Sequence, residues 1–522
     1  MKSFEQSVHT IGKRLISGVG STALRQAIGA IEPVLLVPLF LNAWGSETYG
    51  RYLFLVALVS YLALLEFGAQ SYVGNMLTIE RARGNTALFQ EALSESVSLF
   101  LLVTLVGALC FALLASGALK VAGVPEWLSP GERWVVILLV GHVLVGIPMG
   151  IYCTAYPACG LYTRGLMIGN TTLLIGLAVG AGILYAGFSP FYYAGLTFAT
   201  RVVLTIVLLW DSRRRIPECR NLTLSLENAW KGRRHFSGAL YFWLLSLAQA
   251  VKVQGPVLVI AAVGTPSLIS LYATHRALVN VAGYGGATLQ GPLWPELSAL
   301  WGRQRVSEFR SLSFVIMKMT ILLTGGLALL LWFLVPTLYP IWTGKELTLE
   351  PTFFALLLIQ GMLAAGWSTS SWCLLAANHH QTIALWSIAN SVITIVAASL
   401  LIGGYGVVGV GLAILLADVF FGLMIFPWLS SSMLDVHPIK VYQEMMRAFA
   451  PIILFFMIAQ VAVHSVAPWQ AVLVLLGLSA LLAYPIGRLV LGRKVMTQIL
   501  DLIKVITTGR WNTEPGVRKL PS

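Results

Sequence analysis

Several ionisable residues lie inside stretches of sequence that are otherwise apolar enough to cross a membrane. Lys252 interrupts the run AQAVKVQGPVLVIAAVG, and Arg25 and Arg276 interrupt two other apolar runs. A charged side chain at the centre of a bilayer costs about 2.5 to 3.5 kcal/mol on insertion scales, so such residues usually face protein or water. Lys and Arg are well suited to binding anionic groups such as phosphates. These three cations therefore predict a hydrophilic cleft that favours an anionic ligand.

Helical spacing places further polar residues beside these cations, because residues three, four or seven positions apart share a helix face. The side chains that we expect to contact a ligand in the cleft are Arg25, Gln249, Lys252, Arg276, Asn280, Tyr284 and Asn390. Three acids also fall within apolar runs, namely Glu32, Glu66 and Asp418. They are candidates either for pairing with the cations or for coupling to a transported ion.

The elements that carry these residues are membrane helices. The chain has 522 residues, of which 57% are hydrophobic and 11% charged, whereas about a quarter of the residues of a soluble domain are charged. Apolar runs of the length needed to span a bilayer, about 20 residues, recur from Ser21 to Leu491. They predict an all-α polytopic membrane protein with about 14 transmembrane helices. A β-barrel is excluded because its strands alternate in polarity, and these runs do not.

The distribution of positive charge predicts the topology. Most of the 34 Lys and Arg residues fall on the side of the membrane that holds both termini, and the positive-inside rule makes that side cytoplasmic. The same rule accounts for the net charge of +13 without nucleic-acid binding. The predicted organisation is a first lobe of six helices (residues 1–210), a basic linker (211–236), a second lobe of six helices (237–430), two extra helices (431–491) and a basic tail (492–522).

Enzymatic chemistry has little support in the sequence. The predicted external loops are too short to form a separate catalytic domain. The chain has no GxxxxGK[ST] motif, and no paired carboxylates or Ser/His/Asp set falls in one predicted pocket. The five cysteines form no CxxC motif and fit small packing residues. We therefore predict no cofactor, no metal site and no catalytic residues.

An internal repeat supports two parallel lobes around a central cleft. The segment that begins at Pro33, PVLLVPLFLNAWGSETYG, resembles PVLVIAAVGTPSLISLYA from Pro256. Duplicated halves are common in transporters, and an even number of helices in each half makes the halves parallel.

Two segments, EFGAQSYVGNMLT from Glu66 and GPLWPELSALWG from Gly291, together with the two six-helix halves, resemble polysaccharide flippases of the O-antigen type. These flippases belong to the multidrug/oligosaccharidyl-lipid/polysaccharide exporter superfamily. The chain is also similar to lipid II flippases, whose two additional helices help to form a groove for the lipid tail. The resemblance implies movement of undecaprenyl-diphosphate-linked oligosaccharide to the outer leaflet of a bacterial cytoplasmic membrane. It also implies polysaccharide polymerase and other assembly proteins as partners.

Two alternatives stay open at this stage. One is a cation-coupled multidrug antiporter of the same superfamily, in which Glu32, Glu66 and Asp418 carry the coupling ion. The other is a membrane-embedded lipid-modifying enzyme or an assembly scaffold. The excess of cations over acids within the predicted helices argues against the antiporter.

Overall fold

The computed structural model describes residues 2–117, 132–463 and 484–493, together with positions 470, 477 and 496. Within these residues the chain is almost entirely helical. The helices are α1 (Lys2–Ser60), α2 (Ala69–Ala82), α3 (Thr86–Gly117), α4 (Arg133–Ala158), α5 (Tyr162–Tyr185), α6 (Pro190–Arg215), α7 (Leu226–Gly232), α8 (Phe236–Val263), α9 (Pro266–Gly302), α10 (Val306–Trp342), α11 (Pro351–Ala376), α12 (His380–Ala417), α13 (Phe426–Met433) and α14 (Pro438–Val463).

The predicted fold class is confirmed. Among the described residues, ten helical segments are long and apolar enough to cross a membrane, so the chain is a multi-pass membrane protein. The helix predicted at residues 449–466 corresponds to α14, which begins earlier, at Pro438. The last predicted helix, residues 469–491, and the basic tail lie largely outside the described residues.

Two of the helices turn back on themselves at glycines. The 59 residues of α1 would extend about 90 Å at 1.5 Å per residue, far more than a bilayer core of about 30 Å. The helix instead bends at Gly45, where φ is 70° and ψ is 170°. Gly406 bends α12 in the same way, with φ of 56°. Glycine has no Cβ and adopts positive φ readily, so each bend converts one continuous segment into two crossings.

The predicted helix at residues 51–76 is interrupted, which corrects the prediction. A 3₁₀ turn covers Tyr61–Glu66, and Phe67 and Gly68 then have φ of 50° and 68° before α2 begins. The cause is the close approach of α8: a Cβ on Gly68 would lie 2.4 Å from the backbone nitrogen of Trp243. The indole of Trp243 also donates to the Leu64 carbonyl at 3.0 Å, which ties α8 to the interrupted segment. Glu66 and Gln70 therefore lie on different helical segments.

A second irregularity follows α12. Residues Asp418–Ile425 form a π-helical segment, which leads into α13. A Cβ on Gly422 would lie 2.4 Å from the indole nitrogen of Trp367, so this glycine lets the π-helical segment pack directly against α11. Such segments are rare and are often found at functional sites. Here the segment begins at one of the predicted site acids, Asp418.

The basic linker packs against the end of α3. Glu95 of α3 is fully buried, and its carboxylate accepts from Arg234 at 2.9 Å and lies 3.1 Å from the His235 ring. Burial lowers the pKa of His235 from its ordinary value. Within the linker, the Ser225 hydroxyl accepts from the Asn228 amide at 3.1 Å and caps α7. We use the term basic end for the end of the bundle that contains this linker.

At the opposite end of the bundle, α1 and α9 are in close contact. The Ser270 hydroxyl donates to the Ser46 carbonyl at 2.6 Å, and the hydroxyl oxygens of Ser46 and Ser267 are 3.4 Å apart. A Cβ on Gly50 would lie 1.8 Å from the Pro266 carbonyl oxygen, so only glycine permits this approach. Because α1 belongs to the first half of the chain and α9 to the second, the two halves are closed against each other at this end.

Candidate functional site

A polar cavity of about 270 Å³ lies among α8, α9, α10, α11 and α12. Its space comes from residues with little or no side chain in the lining, which are Gly283, Gly286, Ala287, Gly361, Ala364 and Ala365. Its charged and polar lining residues are Lys252, Arg276, Asn280, Gln290, Thr320, Thr324, Gln360 and Ser368. Asn280 is exposed, so the cavity opens to the outside of the protein. A set of polar groups in a concave site within apolar helices is typical of a ligand-binding site.

Lys252 is paired with Asp418 at one wall of the cavity. Its ammonium nitrogen lies 2.6 Å from the Asp418 carboxylate. That carboxylate also accepts from the side-chain amides of Gln360, at 2.5 Å, and Asn390, at 3.0 Å. The Lys252 nitrogen lies 5.1 Å from the ring centroid of Trp367 as well, within the range of a cation–π interaction. The pair carries no net charge, and its polar atoms are held in place from several sides.

Arg276 is the uncompensated cation of the cavity. Its guanidinium donates to the Val253 carbonyl at 3.2 Å and to the Tyr272 hydroxyl at 2.5 Å. Among the residues that the structure describes, Arg276 makes no ion pair. Neutral acceptors orient its side chain but leave its full positive charge in the cavity. The cavity therefore has the electrostatics of an anion-binding site.

Two further arginines lie in the first half of the chain. Arg201 of α6 donates to the His142 ring at 3.2 Å, and the other ring nitrogen of His142 lies 2.8 Å from the Thr197 carbonyl. Since a carbonyl only accepts, His142 must donate to Thr197 and accept from Arg201, which makes its imidazole neutral. The Nε atom of Arg201 is buried and has no hydrogen-bond partner among the described residues. Arg201 also lies near enough to Arg25 for electrostatic repulsion.

The structure brings together some of the predicted site residues and separates others. Lys252, Arg276 and Asn280 line one cavity, and Asp418 and Asn390 join it through Lys252. The predicted residues that do not line this cavity are Arg25, Glu32, Glu66, Gln249 and Tyr284.

These five residues have other surroundings. Arg25 and Gln249 are exposed, and the Tyr284 hydroxyl would lie 3.6 Å from a Cβ on Gly29 of α1. Glu32 interacts electrostatically with Arg25. Glu66 hydrogen-bonds to the Gln70 side chain across the break that precedes α2.

Sequence reasoning missed the amides that complete the cavity. Gln360 lies in the apolar run of α11 and orients Asp418, and Gln290 donates to the Ser368 hydroxyl at 2.7 Å. A lone amide within an apolar run is the signal that could have identified Gln360. Lys318, another cation within a predicted helix, forms an ion pair with Glu444 of α14 at 2.5 Å. That pair accounts for Lys318 by a structural contact outside the cavity.

The architecture matches solved membrane transporters. A structure of the lipid II flippase MurJ in an inward closed conformation superposes with a TM-score of 0.69 at 12% identity, over 95% of this chain and 100% of that one. The MATE multidrug transporter DinF-BH gives a TM-score of 0.60 at 14% identity, over 81% of this chain and 97% of that one. A mutant of the Vibrio cholerae MATE transporter VcmN gives a TM-score of 0.58 at 15% identity, over 82% of this chain and 97% of that one.

The chain has the fold of these transporters. This confirms the fold that the sequence resemblance implied, including the similarity to lipid II flippases. No family model matches the chain, and no curated protein sequence matches it. At 12 to 15% identity, the likeness concerns the fold and leaves the substrate to be argued from the residues of this chain.

Proposed function

We propose that this protein is a flippase that moves undecaprenyl-diphosphate-linked oligosaccharide across a bacterial cytoplasmic membrane by alternating access, for the synthesis of a cell-surface polysaccharide. The lipid-linked substrate moves between leaflets without chemical change. Both termini are cytoplasmic in this proposal, because the basic end of the bundle then obeys the positive-inside rule. A polysaccharide polymerase and other assembly proteins would receive the product.

The observation that carries the proposal is the charge of the polar cavity. Lys252 and Asp418 neutralise each other, which leaves the Arg276 guanidinium to attract a ligand. A diphosphate supplies several anionic oxygens, and a guanidinium can bind two of them at once. At about 270 Å³ the cavity suits a head group rather than a whole oligosaccharide. The sugars would then extend toward the exposed Asn280, and the prenyl chain would remain in the lipid.

The arginines of the first half fit the same substrate class. Arg25 and Arg201 repel each other, and among the described residues neither forms an ion pair. An unpaired cation within a membrane protein is costly unless it faces water or binds an anion. Glu32 offsets only part of this charge through its interaction with Arg25. An anionic ligand between the halves would relieve the remaining repulsion.

The contact between α1 and α9 supports alternating access. The two halves are closed at the end opposite the basic end through Gly50, Ser46 and Ser270. Toward the basic end the halves also meet, where α8 approaches Gly68 and Tyr72 approaches Gly238, so this contact must open to admit a lipid-linked substrate from the cytoplasmic leaflet.

The test uses bacterial cells that lack the protein. We expect diphosphate-linked oligosaccharide to accumulate on the cytoplasmic leaflet, and the wild-type protein to clear it. Arg276→Gln should fail to clear the lipid, because glutamine keeps hydrogen-bonding capacity but removes the charge, whereas Arg276→Lys should retain part of the activity. Arg83→Gln is the control, because Arg83 lies at the basic end beside Glu80, away from the cavity. Full clearance by Arg276→Gln at normal membrane levels would contradict the proposal.

The fold similarity to multidrug transporters supports a second candidate, a cation-coupled antiporter. Its coupling residues would be Glu32, Glu66 and Asp418. Asp418 is occupied by the Lys252 ammonium, which must leave before a free cation can bind. Glu32 and Glu66 remain available for this role. Loss of drug tolerance on deletion, with no accumulation of lipid-linked sugar, would favour the antiporter. A covalently altered lipid-linked sugar would instead favour a lipid-modifying enzyme.

A further inference from the structure

A second basic site lies at the surface of the bundle, well away from the polar cavity. A surface cavity of about 580 Å³ is lined by Ile206, Leu209, Trp210, Arg213, Arg214 and Arg220. The first five of these residues belong to the last turns of α6, and Arg220 comes from the linker. We propose that this cavity, which we call the linker site, binds the head group of an anionic phospholipid of the surrounding bilayer.

The apolar side of the linker site continues onto the lipid-facing surface of α6. Val203, Ile206, Val207 and Trp210 are all exposed, and their spacing of three and four residues places them on one helix face. In a membrane protein such a face contacts acyl chains. Trp210 ends the stripe, and tryptophan is enriched where the acyl region meets the head groups. A phospholipid lying along this stripe would bring its phosphate to the level of Arg213 and Arg214.

The positive charge of the linker site is not neutralised by any acid within the described part of the chain. Among the described residues, Arg213, Arg214 and Arg220 form no ion pair. The two nearby acids are engaged elsewhere: Asp211 pairs with Arg164 at 2.6 Å, and Glu218 pairs with Arg81.

The arginines are also held in place. Arg214 lies over the Trp210 ring with 4.1 Å between guanidinium carbon and ring centroid, and Arg213 hydrogen-bonds to Tyr152. The site therefore offers positioned charges that a phosphodiester can neutralise.

Cations at the end of a helix are common for another reason, because they offset the helix dipole. In this chain Arg220 already meets that need: it donates to the carbonyls of Arg213 and Arg214 at 2.7 and 3.1 Å. With the last carbonyls of α6 satisfied in this way, the guanidinium groups of Arg213 and Arg214 stay available for a ligand. The helix dipole also explains neither the cavity nor the exposed Trp210 beside it.

The adjoining linker also has a feature typical of a membrane surface. In α7, Leu226 and Trp230 are exposed, and their spacing of four residues puts them on one face. Arg233 lies over the Trp230 ring at 3.9 Å. An exposed apolar face bordered by arginine is typical of a helix that lies in the bilayer interface. Trp210 and Trp230 are thus both exposed beside an arginine, an arrangement that fits the membrane interface, where anionic head groups are concentrated.

The experiment measures phospholipid binding by the full-length protein in neutral detergent at constant ionic strength, with fluorescently labelled phosphatidylglycerol as the probe. A basic residue near the membrane surface contributes about 5-fold in affinity for an anionic lipid. The double variant Arg213→Gln/Arg214→Gln should therefore bind about 25-fold more weakly, while Arg213→Lys/Arg214→Lys should bind nearly as well as the wild type. The matched control, Arg303→Gln/Arg305→Gln, removes two charges from the same end and should change affinity less than 2-fold.

The assignment would be overturned by unchanged binding in the glutamine variant, by equal weakening in the control, or by equal affinity of the wild type for labelled phosphatidylcholine. Displacement of the lipid by low millimolar inorganic phosphate would assign the site to free phosphate and would also refute the assignment to a phospholipid. Binding is measured without transport, so the result is independent of the proposed flippase activity.

Discussion

Replacing Lys252 by methionine keeps most of the side-chain length and removes the charge. The Asp418 carboxylate, only 1% exposed, would then lose its cation in the interior of the protein. Removing one partner of a buried ion pair typically costs 3 to 5 kcal/mol. Asp418 keeps its hydrogen bonds from Gln360 and Asn390, which offset part of this loss. We therefore expect Lys252→Met to destabilise the protein by about 3 kcal/mol, at the low end of that range.

The reciprocal variant should cost less. In Asp418→Leu the Lys252 ammonium remains, but its side chain is 23% exposed to the cavity and keeps its contact with the Trp367 ring. A loss of about 1 kcal/mol is expected, mainly from the amide donors left without an acceptor. Replacing both residues by apolar ones removes both charges, and such replacements are often close to neutral. The double variant should therefore be only about 1 kcal/mol less stable than the wild type, the cost of the amide donors that still lack an acceptor.

The assay is a double-mutant cycle on the purified protein, unfolded in mixed detergent micelles. The coupling free energy between the two positions should be about 3 kcal/mol, because the double variant escapes the penalty of the unpaired carboxylate but keeps that of the unpaired amides. Additive losses would refute the pairing argument. Transport by the double variant answers a separate question: full clearance of lipid-linked sugar would limit Lys252 to pairing, and no clearance in a stable protein would show that transport needs the charges of the pair.

Two more predictions concern the first half of the chain. Gly50→Ala places a Cβ against the Pro266 carbonyl and should separate α1 from α9. In a protein that carries Ser46→Cys and Ser267→Cys, the yield of the disulfide between these two positions should therefore fall. Gly326→Ala, where a Cβ meets nothing within 4 Å, should leave the disulfide yield unchanged, and equal yields in the two alanine variants would contradict the close contact. Arg201→Gln keeps a donor for His142 but removes the charge, so the ligand-free protein should become more stable by about 1 kcal/mol while export falls. Lower stability in unfolding assays, or undiminished export, would count against an anion-binding role for Arg201.

The membrane helices were predictable from sequence because their signal is local. A run of about 20 apolar residues must cross the bilayer whatever its neighbours do. The break before α2 was not predictable in this way. Phe67 and Gly68 take left-handed conformations because Trp243 of α8 approaches Gly68, and this contact joins residues far apart in sequence. A single residue's helix propensity carries no information about such an approach.

The candidate site shows the same limit. Hydropathy identified Lys252 and Asp418 as charges inside apolar helices, and charge pairing was one of the roles considered for the acid. Their actual pairing depends on how α8 packs against α12 and the π-helical segment after it, across 166 residues of sequence. The consequence for function is large, because the residue that first suggested an anionic ligand is neutralised. Arg276, held only by neutral acceptors, takes over as the main cation of the cavity.

This distribution of charge also links binding to movement. Among the described residues, arginines without an ion pair occur within the membrane helices of both halves: Arg25 and Arg201 in the first, Arg276 in the second. Under our proposal a diphosphate bound between the halves would contact arginines of both halves and relieve the repulsion that their like charges would otherwise exert as the halves approach. A ligand shifts a conformational equilibrium only by its difference in affinity for the two states. A head group that contacts both halves in one state, and only one half in the other, has such a difference. Under our proposal the substrate's own charge thus drives closure around it, and its release at the outer leaflet restores the repulsion that reopens the cleft.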